Sequence, residues 1–394
     1  MIKVEYPFAI NNSTVSKDDF KEKYYFSLKK KVDETKLNVL LNSVKFNGKK
    51  LCFRKLLTAD FTELIKIFKL IEKNKNRESI NKYFEKIING KKVSIYNSAQ
   101  GDISKFFMIQ NIALKTCHYC NIDYINIFEE RYSYANLKDF LNYAPREILL
   151  TLDSISNNTA KIIILARPIV SVFDCLKRDL TPRIYEKLKD ELNTIDLDNI
   201  LINKNHFTLD HFLPKIDFPY LSLSLFNLVP SCSSCNCKFK GSLEFLPTDQ
   251  LNFLSPTSDQ FTLDNDFEFK LFFNVIGNNL DSSIENVSSP NDFLIQIVDK
   301  KNSIGFNTYL NMFKLKGRYE FHKNVALKMI VKRKSYSDSQ IKELSDLFIN
   351  KGMNKDEKSI KKDLFGTAIF NDYEKNESFA KYNKDIAKQL GIIP

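Results

Sequence analysis

Residues 209–242 read LDHFLPKIDFPYLSLSLFNLVPSCSSCNCKFKGS. The stretch is entered through Phe207-Thr-Leu-Asp-His-Phe212, a short strand pattern that Pro214 helps to end, since proline cannot donate to a sheet ladder. It closes on Cys232-Ser-Ser-Cys235 and a basic segment running to Gly241. An upstream pair, Cys117-His-Tyr-Cys120, repeats the CxxC spacing. Each CxxC turn presents two sulfurs to one metal ion, so together Cys117, Cys120, Cys232 and Cys235 have the make-up of a structural zinc site with four cysteine ligands. The competing readings are a redox pair and buried cysteines that share the spacing by chance. Neither pair sits in a βαβ setting, which counts against redox.

Composition narrows the class. The chain has 394 residues, 43% of them apolar, with 33 Phe and 17 Tyr, which excludes wholesale disorder and fibrous structure. Only 10 Gly and 11 Pro punctuate it, favouring long regular elements, mainly helical, over a turn-dense β-sandwich. Seven cysteines, an odd number, argue against a disulfide framework. Lys and Arg total 59 against 48 Asp and Glu, a net charge of +11 that suits a polyanionic partner. The apolar stretch from Ile162 to Leu176 is broken by Arg167, Pro168 and Asp174 and falls short of the roughly 20 residues a membrane span needs. No apolar leader follows Met1, so the expectation is a cytoplasmic protein with no membrane partner.

Along the chain, residues 45–93 read as helical: Phe61, Leu64, Ile65, Phe68 and Ile71 recur at helix spacing behind Asp60, with Glu63 placed to complete a capping box. The same segment carries 14 Lys or Arg against 5 Asp or Glu. Between the CxxC pairs lie 111 residues that include an insertion, about 127–205, with helical patterns around Leu137–Leu150 and Thr181–Ile200. Phe267, Phe269, Leu271 and Phe273 alternate as a strand, and Gly277-Asn-Asn279 suggests a hairpin turn. From about Asn307 the pattern is helical again, and Asn311 to Lys334 holds 8 Lys or Arg against Glu320 alone, a second candidate phosphate surface. Three regions are expected: a mainly helical 1–104, a core domain at 105–255 containing the insertion, and 256–394 with a β-hairpin and basic helices.

The quoted stretch resembles the HNH (ββα-metal) endonuclease motif with a zinc-binding embellishment. That motif has an Asp-His pair ending one strand, a central Asn in the following loop, and a CxxC-Asn opening a helix that ends in Lys and Gly. Here those positions are Asp210-His211, Asn227 and Asn236. The segments DHFLPK, FPYLSLS and NLVPSC, the CHYCN knuckle, and Phe306 to Tyr336 are more loosely similar to bacterial defence nucleases of the Septu type, which occur in anti-phage operons beside an ATPase.

The resemblance implies an α+β fold, a ββα-metal core set in largely helical flanks. It implies that His211 is the general base that activates water against a DNA phosphodiester, and that Asp210 and Asn236 hold one Mg²⁺ or Mn²⁺ ion. Asn227 would orient the imidazole and brace the loop, and the products would be a 5′-phosphate and a 3′-hydroxyl. A partner, an ATPase or other operon subunit, would gate activity. Lys238 and Lys240 are candidate phosphate contacts, and His118, inside the first knuckle, is expected at the surface. Two other functions remain open: a zinc-stabilised nucleic-acid-binding or scaffold subunit without catalysis, and an RNA-directed nuclease toxin.

Overall fold

The capping box expected at Asp60 forms as read: Glu63 Oε2 accepts from the Asp60 amide at 3.2 Å, and the helix Phe61–Glu72 follows. This helix buries Phe61, Leu64, Ile65, Ile67 and Ile71, while Phe68 packs edge-on against Phe218 with ring centroids 4.8 Å apart. The computed structural model that shows this describes residues 2–4, 6, 15–88, 90–109, 114–245, 248–273, 284–371 and 377–394. Among them the architecture is α+β, with helices interspersed by small two-stranded antiparallel sheets.

The region from 45 to 93 is not helical throughout. Two hairpins interrupt it, Lys45–Phe46 with Lys49–Lys50 and Glu85–Ile88 with Lys91–Ser94. Asn47 and Gly48 both hold positive φ, 50° and 75°, the geometry of a tight hairpin turn that an Asn-Gly pair adopts at little steric cost. The sequence repeats that pair at 89–90. The Asn-Gly pair was the signal that the helix-period reading passed over.

The chain divides into two compact units, residues 1–126 with 207–394, and residues 127–206. The smaller unit opens and closes on one sheet: Ile127–Tyr132 pairs antiparallel with Ile200–Asn205, and Ile127 lies opposite Asn205. Its two ends therefore leave side by side, which removes most of the chain between the cysteine pairs from the loop that must close to bring them together. Helices such as Leu137–Tyr143 and Pro182–Thr194 build its separate core around Phe140, Leu149, Ile163 and Leu188.

In the larger unit one continuous core runs from the N-terminal helices to the C-terminal helix Ala380–Gln389. At its centre aromatic rings interlock. Phe212 stacks on Phe245 at 4.2 Å, Tyr119 on Phe313 at 4.6 Å, and Tyr309 meets Phe313 at 4.8 Å. Such pairs add about 0.5–1.5 kcal/mol each beyond their buried area. They join residues next to the Asp-His pair and the first knuckle to the helix Ile304–Met312. The strand read at Phe267 is present as Phe267–Phe273 and pairs with Phe293–Asp299, with Leu271 opposite Ile295; the turn proposed at Gly277–Asn279 lies outside the described residues. No helix among the described residues is long and apolar enough to cross a membrane.

Candidate active site and metal centre

The two CxxC turns meet. The sulfurs of Cys117, Cys120, Cys232 and Cys235 all lie within 4.8 Å of one another, and all four residues are buried. Four thiolates about 2.3 Å from a tetrahedral ion stand about 3.8 Å apart, so the cluster could hold a metal ion with little adjustment. The first turn is shaped by the Asn121 amide donating to the Cys117 carbonyl at 2.8 Å, with Asn121 at a φ of 54°. In the second, the Cys235 amide donates to Cys232 Sγ at 3.4 Å.

Burial pushes the Cys117 and Cys235 thiols well above their ordinary range. Four ionised sulfurs in this interior therefore require a cation among them. Part of that charge is met by Arg318, whose Nη1 lies 3.2 Å from Cys235 Sγ while Nη2 donates to Asp123 Oδ2 at 2.9 Å. His118 is not at the surface: it is fully buried, Nδ1 meets the Ile2 carbonyl at 3.0 Å, and burial lowers its pKa to about 4. The short knuckle points it inward, against the N-terminal segment.

Beside this cluster, Thr208–His211 pairs antiparallel with Leu228–Ser231, placing Asp210 opposite Val229 and His211 opposite Leu228. The helix Ser234–Lys240 follows, giving strand, strand and helix in chain order. That helix is wide in its last turn, where the Gly241 amide bonds the Asn236 carbonyl five residues back at 2.8 Å, and Gly241 ends it at a φ of 52°.

Asn227 is fully buried and pins the loop between the strands. Its Nδ2 donates to the carbonyls of Leu213 and Leu221 at 3.0 and 3.1 Å, and its Oδ1 accepts from the Leu213 amide at 2.8 Å. The next carbonyl, that of Ser222, meets His211 Nε2 at 2.9 Å. A carbonyl only accepts, so Nε2 carries the proton and Nδ1 the lone pair. Asn227 thus reaches the imidazole through Leu221 and Ser222. Alanine at Asn227 would strand two carbonyls and an amide, and is expected to cost about 2–4 kcal/mol, read as a lower urea midpoint with an unchanged slope.

His211 is 6% exposed, and burial, helped by the charge of Lys215, lowers its pKa to about 3. Tyr96 packs edge-on against it at 4.4 Å, and the Lys215 ammonium lies 4.5 Å from the Tyr96 ring centre.

Asp210 has different partners. Tyr119, the third residue of the first knuckle, donates its hydroxyl to Oδ2 at 2.6 Å, and Lys240 Nζ lies 3.2 Å from each carboxylate oxygen while donating to the His211 carbonyl at 2.7 Å. Burial raises the Asp210 pKa against the pull of Lys240. Lys240, expected at a phosphate, is 1% exposed and turned inward, because the wide helical turn carries its side chain under the strand. Lys238 is exposed.

Asn236 is half-buried, and among the described residues no hydrogen bond joins its side chain to Asp210 or His211. As arranged, Asp210 and Asn236 do not present an open hard-cation site: an ammonium already occupies the carboxylate. Methionine at Lys240 is expected to cost about 3–5 kcal/mol by leaving Asp210 unpaired in the interior. Adding Asp210→Asn should recover most of that loss, and denaturation of both variants checks it. Single-sequence reading missed Tyr119, Arg318 and the Ser222 carbonyl; Tyr119 alone left a trace, as the aromatic inside a CxxC turn.

No known protein family, curated protein or solved structure matches the chain.

Proposed function

We propose that this chain is an HNH-type endonuclease that hydrolyses DNA phosphodiester bonds, with Zn²⁺ in the four-cysteine cluster. The observation that carries the reading is His211: at the end of the first strand of a strand–strand–helix unit, it is held neutral with Nε2–H on a carbonyl and its Nδ1 lone pair uncommitted among the described residues. That is the protonation state a general base needs.

In the proposed reaction Nδ1 takes a proton from water as the oxygen attacks phosphorus and the 3′ oxygen leaves, taking its proton from a second water, so that a 5′-phosphate and a 3′-hydroxyl result. The Ser222 carbonyl holds the ring in place throughout and faces the imidazolium that forms. Asn227 keeps that carbonyl where it is. Mg²⁺ or Mn²⁺ would supply charge stabilisation at the phosphate if Asp210 and Asn236 held it as the resemblance implies. Asp210 is closed to such an ion while Lys240 holds it. Four sulfur donors within 4.8 Å of one another favour zinc over harder cations for the cysteine cluster. By the Septu resemblance the setting would be anti-phage defence in the cytoplasm, with an ATPase or other operon subunit as the gate.

A second reading, a zinc-stabilised binding or scaffold subunit, is favoured by one observation: His211 and Asp210 are almost wholly enclosed, at 6% and 2% exposure. A cleavage assay separates the two. Plasmid DNA, and RNA in parallel, is incubated with metal-analysed protein in Mg²⁺ or Mn²⁺, with and without the operon partner. Cutting that His211→Ala abolishes supports the nuclease; zinc-loaded, folded protein that cuts neither substrate under any condition refutes it.

A further inference from the structure

The basic stretch from Asn311 to Lys334 contributes to a pocket of about 430 Å3 on the far side of the knuckle helix from Asp210. Arg318, which bridges Cys235 and Asp123, lines it and ties it to the cysteine cluster. One wall is the helix Ser234–Lys240, which sends Lys240 inward to Asp210 and lines the pocket with Lys238 and Phe239. The other is the helix Leu315–Phe321, preceded by Lys314 and ending in Phe321.

Its charge is one-sided. Asp123, the sole acid in the lining, is taken by Arg318, whereas Lys238 and Lys314 have no carboxylate partner among the described residues. The aromatic surface is arranged with the cations. Arg318 lies 5.0 Å and Lys238 5.9 Å from the Phe239 ring centre, and Phe321, also in the lining, is 82% exposed. A lone exposed phenylalanine needs no explanation, but one lining a cationic pocket offers a flat face alongside lysine ammonium groups. The volume falls within the roughly 300–1,000 Å3 of small-ligand sites. A nucleotide can enter such a space only if its base is unpaired and unstacked.

We infer that this pocket seats one nucleotide unit of a single-stranded nucleic acid, its phosphate on Lys238 and Lys314 and its base stacked on Phe321. The inference rests on the nuclease reading in taking a nucleic acid as the ligand, and adds that the protein grips an unpaired strand behind the knuckle helix.

The test uses the full chain carrying His211→Ala, so that bound strands stay intact, with no added Mg²⁺ or Mn²⁺. Fluorescence anisotropy compares a labelled DNA oligonucleotide, the same sequence as RNA, and the matched DNA duplex at several salt concentrations. Single strands are expected to bind about 10-fold more tightly than duplex, and Phe321→Ala to remove about 10-fold of single-strand affinity. Lys238→Ala with Lys314→Ala should reduce the salt slope by about 0.7, the contribution of the one phosphate they share on a single strand. The DNA and RNA arms decide the sugar.

Equal binding of duplex, no binding of any oligonucleotide, or full affinity in the pocket variants at unchanged zinc content and unfolding midpoint overturns the inference. The nuclease reading fails separately. Loss of cleavage by the parent protein with pocket-dependent binding intact removes catalysis and keeps the pocket, and cleavage with pocket-independent binding does the reverse.

Discussion

Alanine in place of His211 is expected to lower phosphodiester cleavage by about 10²–10⁴-fold, the usual contribution of a positioned general base. His211→Gln should be equally inactive, because a glutamine amide can still donate to the Ser222 carbonyl but its carbonyl oxygen is too weakly basic to take a proton from water; it separates loss of the base from loss of loop support. The pH profile adds a second readout. Burial lowers the His211 pKa to about 3 from a usual value of 6.5, so the folded chain favours the neutral ring. The stability tied to that preference is present above pH 6.5 and is lost as pH falls from there toward 3, by up to about 1.4 kcal/mol per pH unit. His211→Ala should therefore lose stability less steeply in acid than the parent. For catalysis, the acid limb of kcat/KM should lie well below pH 6.5. A phosphodiester anion seated beside the ring raises its pKa, so the limb of kcat should lie higher than that of kcat/KM. Unaltered cleavage by both variants removes His211 from the chemistry.

Local signals were readable and distant ones were not. The Asp60–Glu63 capping box, the strand ending before Pro214 and the two knuckles are each set by residues three or four apart, and each formed where the spacing placed it. The inward turn of Lys240 depends on one extra residue of helical width at 236–241, which no periodicity over seven residues can register. The Arg318–Cys235 contact spans 83 positions and the Tyr119–Asp210 hydrogen bond spans 91, so neither is visible without the fold that brings them together. Asp210 shows the consequence. Its residue type and place beside His211 suggest a hard-metal ligand, whereas its environment supplies an ammonium and a phenol instead. The Asn-Gly pairs at 47–48 and 89–90 differ in kind: the signal was local and sufficient, and a strong helical period on either side outweighed it.

Serine at both Cys120 and Cys235 is expected to abolish metal binding and to leave the larger unit unable to hold its native packing. Metal binding at a structural four-sulfur site is worth about 10–16 kcal/mol in small zinc domains, as large as the roughly 5–15 kcal/mol that separates folded from unfolded states of a typical protein. The cluster is also a junction rather than an appendage. Tyr309 donates to the Tyr119 carbonyl at 2.9 Å and Tyr319 to the Cys120 carbonyl at 2.6 Å, so the first knuckle anchors two C-terminal helices through buried hydroxyls. Tyr119 carries the link on to Asp210. Without metal, burial favours the protonated thiol at Cys235, the charge opposite Arg318 there disappears, and the half-buried guanidinium leans on its ion pair with Asp123. Arg318→Met, which leaves all four sulfurs in place, should keep the metal but bind it about 10–100-fold more weakly. Metal content, near-ultraviolet circular dichroism and unfolding midpoints of the three proteins read this out. If the serine variant carries no metal yet retains the parent's midpoint and aromatic signal, the cysteine cluster does not hold the core together, and the Asp210–His211 hairpin must owe its placement to the aromatic ladder around Phe212 and Phe245.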